Sequence, residues 1–303
     1  MKHKIIKITD KNYPVLLKQI KNYPEKLYAI GNIDLLNSNC IAIVGSRNCT
    51  TYGEKVTKQF VTNLSKQGIT IVSGMALGID TIVHKETIKS EGKTIAVLGS
   101  GFDYIYPEEN SNLFKEIINS EGLVITEYCP KTEVNMKNYP VRNRIISGIS
   151  LGVLVTEAKH RSGASLTANI AKEQNRKVFC VPSNLDNKYI RTNELIQQGA
   201  KLVIDEKDIL SEFTELKQDI KIKSVGAVFV RNTCELDSPC PQPIDILPEY
   251  MPVYKLLIKQ PMHINQICKA LNQGVSEIGS ILTMLELEDK IEQLPGKIFK
   301  IKG

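Results

Sequence analysis

Between residues 41 and 213, short apolar runs alternate with segments of helical periodicity, and that alternation limits the possible folds more than any other feature. The runs lie at 41–44, 70–72, 94–98, 123–126, 152–155, 178–181 and 202–204. Helical patterns follow near 52–66, 80–90, 108–119, 140–150, 165–174, 191–198 and 206–213. A strand with one wet face alternates apolar with polar residues. These runs are apolar throughout, so both of their faces must be covered. Strands of that kind, each followed by a helix, specify a parallel sheet between two helical layers. The expected fold class is α/β: an extended Rossmann-like open parallel sheet with helices on both faces, plus a small C-terminal winged-helix domain. A ligand of such a sheet belongs beyond the carboxyl ends of its strands.

The first run opens the stretch IAIVGSRNCTTYG at 41–53. Strand, glycine turn and helix start direct free backbone N–H groups and the positive helix end toward an anion. The stretch lacks the three spaced glycines of a dinucleotide fingerprint. It adds Arg47, whose planar fork matches phosphate oxygens, in the turn where a phosphate would sit. A tight turn with an exposed arginine is the alternative reading. Other strand ends carry small residues that let backbone approach a ligand closely, notably Ser73 and Gly74 in SGMALGID and Gly99 in GSG. Asp80 and His84 lie four apart on the next helix and can meet as a pair. No serine or cysteine nucleophile is marked out beside them, so a structural cap or tether is expected rather than a catalytic dyad.

The net charge of +6 is concentrated rather than spread. Between Lys131 and Lys177, nine Lys or Arg stand against three acids, a surplus equal to that of the whole chain. Such a patch is the electrostatic footprint of a polyanion partner, with a solvated helix face as the alternative. Within it, Arg142, Asn143 and Arg144 open a helix; on a regular helix the two arginines face different ways, one toward a groove and one toward an internal partner. After the run at 152–155, Glu157 leads into Lys159, His160, Arg161, Ser162 and Gly163, a second basic loop with Ser162 or Ser165 as helix cap. Arginines, hydroxyls and N–H groups converging on one sheet edge suit a phosphodiester backbone. No P-loop lysine–serine pair is present, so hydrolysis of a nucleoside triphosphate is not indicated.

Several classes drop out. At 42% hydrophobic and 24% charged residues this is an ordinary folded chain. No apolar run approaches bilayer-spanning length, and the start MKHKIIKITDKNYP has no secretory core. The seven scattered cysteines read as reduced cytosolic thiols, and the four histidines never fall at ligand spacing with one of them. No metal, no cofactor and no membrane partner is expected.

The expected domains are a small helical N-terminal preface at 1–38, the Rossmann-like domain at 39–215, a linker at 216–248, and a winged-helix domain at 249–303. Tyr13-Pro14 and Tyr23-Pro24 bracket a helix-period segment in the preface. Pro239, Pro241, Pro243 and Pro248 mark the linker as extended, and the apolar run at 225–230 before them has no assignment. In the tail, helices at 253–258, from 263, and at 276–288 precede a hairpin of 291–294 with 298–301. The tail carries seven basic and six acidic residues, too even a balance for a duplex reader, so a packing or protein-contact role is expected.

The pieces IAIVGSR, SGMALGIDTIVH, TIAVLGSGFDYIYPEEN, ITEY, YPVRNRIISGIS, VTEAKHRSGASLTANIAKEQNRKVFCVP and NELIQQGAKLV, in order over roughly 40–210, resemble the DNA-processing protein A (DprA/Smf) family of bacterial transformation proteins. The resemblance implies a non-enzymatic cytoplasmic protein of competence, natural transformation and DNA recombination. It would bind and shield single-stranded DNA, help load the RecA recombinase, and act as a homodimer through the Rossmann-like domain. Carried over, the site comprises Gly45, Ser46 and Arg47, then Arg142, Asn143 and Arg144, then Arg161, Ser162 and Gly163. Ser73, Gly74, Gly99 and Lys159 join them as loop contacts, and Phe102, Tyr104, Tyr106 and Tyr139 lie near enough to carry bases. The sequence departs from the family at Arg161, where lysine is usual, at Ser183, where glycine is expected, and at Arg191-Thr192, which replace glycine and small residues. Leu195, Ile196, Leu202, Ile209 and Leu210 are either dimer surface or core. Two other functions remain open: a nucleoside monophosphate-cleaving enzyme using Glu157, and a duplex-binding regulator acting through the tail.

Overall fold

The computed structural model describes residues 2–185, 188–213, 250–271, 273–287, 290–294 and 296–301. Two compact units, Met1–Gly226 and Ala227–Gly303, make up the chain. The first holds the strands β1 (Lys4–Lys7), β2 (Lys26–Gly31), β3 (Cys40–Gly45), β4 (Thr70–Ser73), β5 (Thr94–Leu98), β6 (Leu123–Thr126), β7 (Gly152–Glu157), β8 (Lys177–Cys180) and β9 (Lys201–Leu202). Its helices are α1 (Thr51–Lys66), α2 (Ile79–Lys89), α3 (Ser111–Asn119), α4 (Asn138–Gly148), α5 (Gly163–Glu173), α6 (Arg191–Gln197) and α7 (Glu206–Leu210).

The strands form one sheet in the order β1-β2-β6-β5-β4-β3-β7-β8-β9, parallel from β6 to β9. Alternate residues of each central strand enter opposite cores, which is why the runs are apolar throughout. In β3, Ala42 and Val44 pack with Ile145 of α4 and Ala168 of α5. Ile41 and Ile43 pack on the other face with Phe60 of α1 and Val83 of α2. The expected α/β architecture is present, with each sequence-read strand in place and its ends shifted by at most two residues.

Chain order steps from β3 outward to β6, then returns to lay β7 against the other side of β3. The gap between the carboxyl ends of β3 and β7 is therefore a topological switch point, where helices on the two sides diverge and leave a crevice.

Residues 1–38 are not the helical preface expected from sequence. They supply β1 and β2, which pair antiparallel with one another and, through Tyr28 opposite Thr126, with β6. Only a single 3₁₀ turn, Leu17–Gln19, forms between the two tyrosine–proline pairs. So short a span cannot sustain an isolated helix, and a proline pushes the residue before it toward extended backbone. Tyr13 is fully buried, and its hydroxyl donates to the Pro24 carbonyl and closes the excursion.

The second unit is a winged helix: α8 (Met251–Lys259), β10 (Met262–His263), α9 (Ile264–Leu271), α10 (Val275–Leu287), β11 (Ile291–Leu294) and β12 (Ile298–Ile301). Its strands are antiparallel in the order β10-β12-β11. Val253, Ile267, Ile278, Leu282 and Phe299 fill a separate core. The proposed linker at 216–248, with the run at 225–230, lies outside the described residues.

Candidate nucleic-acid interface

An open cleft of about 900 Å³ occupies the switch point. Its walls are the turn after β3, the loop after β7, and the first turns of α4 and α5. Both helices thus aim their positive ends at the same space. In α5, Ser162 caps the helix by accepting from Ser165 N–H at 3.3 Å, and Leu166 N–H bonds the Ser162 carbonyl. That leaves the N–H groups of Gly163 and Ala164 without an intrahelical partner, the usual anion-binding arrangement.

Of the described residues, Arg47, Arg142, Lys159, Arg161 and Arg191 line the cleft against a single carboxylate, Asp80. They are not equivalent. Arg47 and Arg161 are exposed, and neither has an ion-pair or hydrogen-bond partner among the described residues. Arg161 holds a left-handed φ of +48°, which sets the corner of its loop. Lys159 lies 5.4 Å from the centre of the Tyr189 ring, a cation–π contact that leaves its charge intact. Arg191 is tied down, donating to Ser165 Oγ at 3.0 Å and to Glu194 at 2.8 Å. Glu194 also holds His160 at 3.0 Å.

The arginines of α4 turn inward. Arg142 is buried and donates to the carbonyls of Gly74 (2.6 Å) and Val97 and to Asn143 Oδ1 (3.2 Å). Burial pulls its pKa down to about 10, while nearby Asp80 opposes the shift. Burial likewise raises Asp80, and Arg142 holds it back. Arg142 therefore reaches the cleft wall with its donors committed to scaffold carbonyls. Arg144 faces away and makes a two-pronged bridge to Glu127 at 3.0 and 2.7 Å. The sequence expectation that one of the two pairs internally understates the result, because both do.

Nine of the thirteen residues chosen from sequence as backbone contacts line the cleft, namely Gly45, Ser46, Arg47, Arg142, Asn143, Lys159, Arg161, Ser162 and Gly163, as does the candidate base carrier Tyr139. Ser73, Gly74, Gly99 and Arg144 do not. Ser73 Oγ donates to the Ile43 carbonyl at 2.7 Å, and Gly74 N–H is taken by Asp80. Gly99 sits under Tyr139, where a Cβ would lie 3.1 Å from the ring. The loop SGMALGID reaches the cleft only with Ala76 and Asp80, and otherwise acts as a buttress. Gly78, at φ +75°, passes so close to the Gly-Ser-Arg turn that a Cβ would fall 2.3 Å from the Ser46 carbonyl.

Two candidate acids resolve as structural. Asp80 accepts from Gly74 and Ala76 N–H, while His84 Nδ1 meets Thr94 Oγ1 at 2.8 Å, so each is engaged elsewhere. Buried Glu157 accepts from Thr50 N–H at 2.9 Å and Thr50 Oγ1 at 2.7 Å, fastening the residue that caps α1. Sequence reading missed Asn48 and Met136 as cleft residues, and it treated Arg191 only as a departure. Arg191 opens α6, and a cation at a helix start is a detectable oddity, since the dipole disfavours it there.

The family model described as DNA recombination-mediator protein A matches residues 4–214, and that of the DprA winged helix domain matches 239–297. DNA processing protein DprA of Bacillus subtilis is 42% identical over 212 residues, covering 69% of this chain and 71% of that protein. Protein Smf of Escherichia coli is 32% identical over 301 residues, covering 99% and 78%. The X-ray structure of DprA from Streptococcus pneumoniae superposes with a TM-score of 0.67 at 40% identity, over 70% of this chain and 75% of that one. DNA processing protein A from Helicobacter pylori, solved for its single-stranded DNA binding mode, gives 0.64 at 28% identity, over 73% and 98%.

Proposed function

Because the chain belongs to the DNA recombination-mediator protein A family, whose members are also named DprA or Smf, we propose that its cleft holds the sugar-phosphate backbone of single-stranded DNA during uptake and recombination of transforming DNA. The observation that carries this reading is the charge pattern: cations and two helix N-termini surround one space that, among the described residues, contains a single, buried carboxylate. The single-strand binding mode described for the Helicobacter pylori relative supports the same ligand class. Arg47, Lys159 and Arg161 supply the free charge, Gly45, Ser46, Ser162 and Gly163 offer backbone and hydroxyl contacts, and Arg142 with Asn143 fixes the wall.

The role is binding, not bond cleavage. Glu157, the acid a monophosphate-cleaving enzyme would use, is spent on Thr50, and Asp80 is spent on backbone. We further read the protein as a cytoplasmic RecA-loading homodimer. No helix among the described residues is long and apolar enough to cross a membrane. Leu202 and Ile204, 46% and 69% exposed at the β9 edge, support a pairing surface on the sheet unit. Of the other candidates, Leu195 and Ile209 are fully buried core, and Ile196 and Leu210 are partly buried against it.

Three free cations predict a log–log salt slope of about −2 for an oligo(dT) ligand. Arg47→Ala should weaken every sequence alike, by roughly five- to tenfold, and flatten the slope by about 0.7. Fluorescence anisotropy over a sodium chloride series measures both. An unchanged affinity removes Arg47 from the site, and release of free base from nucleoside monophosphates would favour the enzyme.

A further inference from the structure

The loop after β5 carries two tyrosines that the core does not use. Tyr104 and Tyr106 are 42% and 39% exposed. Their neighbours Phe102 and Ile105 turn inward and pack with Phe114 and Leu113 of α3. The loop keeps its shape without the outward rings. Ser100 Oγ donates to the Tyr104 carbonyl at 2.7 Å, and Tyr104 N–H to the Gly101 carbonyl at 3.2 Å. Asp103 N–H donates to Pro130 and Gly101 N–H to Thr132, at 3.0 and 2.9 Å. Gly101 lies so tightly on the facing loop that a Cβ would fall 2.1 Å from the Pro130 carbonyl. Two large rings are therefore held outward on a clamped loop: Tyr104 has no ring partner among the described residues, and the ring contact of Tyr106 is with Tyr139.

Their position relates them to the cleft. β5 is parallel to β3 with β4 between them, so this loop leaves the sheet at the same carboxyl edge. Two strand spacings put it about 10 Å along that edge. Tyr106 reaches back: its ring centre is 5.8 Å from that of Tyr139, which lines the cleft.

We propose that Tyr104 and Tyr106 form a base-stacking platform that continues the phosphate cleft, so that a strand whose backbone enters at Arg47 and Arg161 lays successive bases on the two rings. The proposal rests on the single-strand reading of the cleft and adds the part of the ligand that the cations do not touch. Every base has a π face, so such a platform strengthens binding without reading sequence. Because the loop is already fixed, few torsions are frozen on binding.

The test compares two ligands on the full chain: oligo(dT), and a deoxyribose-phosphate oligomer of the same length without bases. The wild type should prefer oligo(dT) by about a hundredfold, roughly tenfold per ring. Tyr104→Ala with Tyr106→Ala should bring oligo(dT) down to the abasic level while leaving abasic affinity and the salt slope unchanged. That unchanged abasic affinity also shows that the variant is folded. Tyr104→Phe with Tyr106→Phe should restore the preference. The chain has eleven tyrosines and no tryptophan, so quenching of its tyrosine emission by oligo(dT) but not by the abasic oligomer gives a second readout. A double alanine variant that keeps the wild-type preference overturns the platform and returns the two rings to a protein contact. A wild type that ignores the abasic oligomer at low salt refutes the phosphate cleft instead, and the platform falls with it.

Discussion

At the residue scale, what a charged or polar side chain can do depends on whether its donors and acceptors are already committed within the fold. Arg47 declares itself because strand, glycine and serine precede it within a few residues. The bridge from Arg144 to Glu127 does not, since its partner comes from another loop and only the tertiary fold brings the two within 2.7 Å. His84 is a similar case. The Thr94 hydroxyl gives its proton to the Ile71 carbonyl at 2.8 Å, so it must accept from His84 Nδ1–H, which leaves Nε2 as an unpartnered buried acceptor. Burial, with Arg142 adding to it, drives the His84 pKa from 6.5 down to about 3. The unfolded chain takes up this proton below about pH 6.5 and the folded chain does not. Stability is therefore complete above that value and is lost as pH falls toward 3. Denaturant melts from pH 7 to 4.5 should show a slope from this one group approaching about 1.4 kcal/mol per pH unit. His84→Leu should flatten it, and an identical slope in the variant would assign the acid sensitivity to other groups.

At the element scale, periodicity located the parallel strands because both of their faces are buried and no polar residue blurs the runs. It failed at β1 and β2: β1 is a four-residue edge strand buried only at Ile6, and the Tyr13-Pro14 and Tyr23-Pro24 pairs lying between the two strands mimic helix punctuation. It also could not tell a catalytic acid from a fastening one. Glu157 ends β7 and reaches across to the first turn of α1, so the carboxylate acts as a clasp between two elements that sequence places more than a hundred residues apart. Glu157→Gln keeps the shape but turns an amide donor toward Thr50, which already presents donors. A charge-assisted hydrogen bond is lost and a buried donor left unmatched, a change of about 2 kcal/mol. Melting temperature should fall by several degrees, while oligo(dT) affinity at a temperature where the variant is folded should stay within twofold. A large affinity loss with unchanged melting would place Glu157 in the site after all.

At the scale of the whole molecule, the two units divide the work by charge. Their cores are separate, the sheet unit closing on itself from Ile6 to Phe213 and the winged helix from Tyr250 to Ile301. Basic residues crowd the cleft edge of the first unit. In the second, α10 is the helix that a helix-turn-helix protein would lay in the major groove, and its sequence VSEIGSILTMLEL carries Glu277 and Glu286 and no lysine or arginine. A helix with that charge meets duplex phosphates with repulsion, and nonspecific DNA affinity comes almost wholly from neutralised phosphates. In the wing, Lys300 is already paired with Glu292 at 2.7 Å. Among the described residues, then, neither α10 nor the paired Lys300 offers a free cation from which duplex binding would start. The full chain and a version ending before residue 249 should bind oligo(dT) within twofold of each other, and the tail should add nothing measurable on a duplex of equal length at physiological salt. Gel shift and anisotropy with both versions decide it. Duplex affinity that disappears with residues 249–303 would make the winged helix a DNA reader and move the regulator function ahead of the protein-contact role.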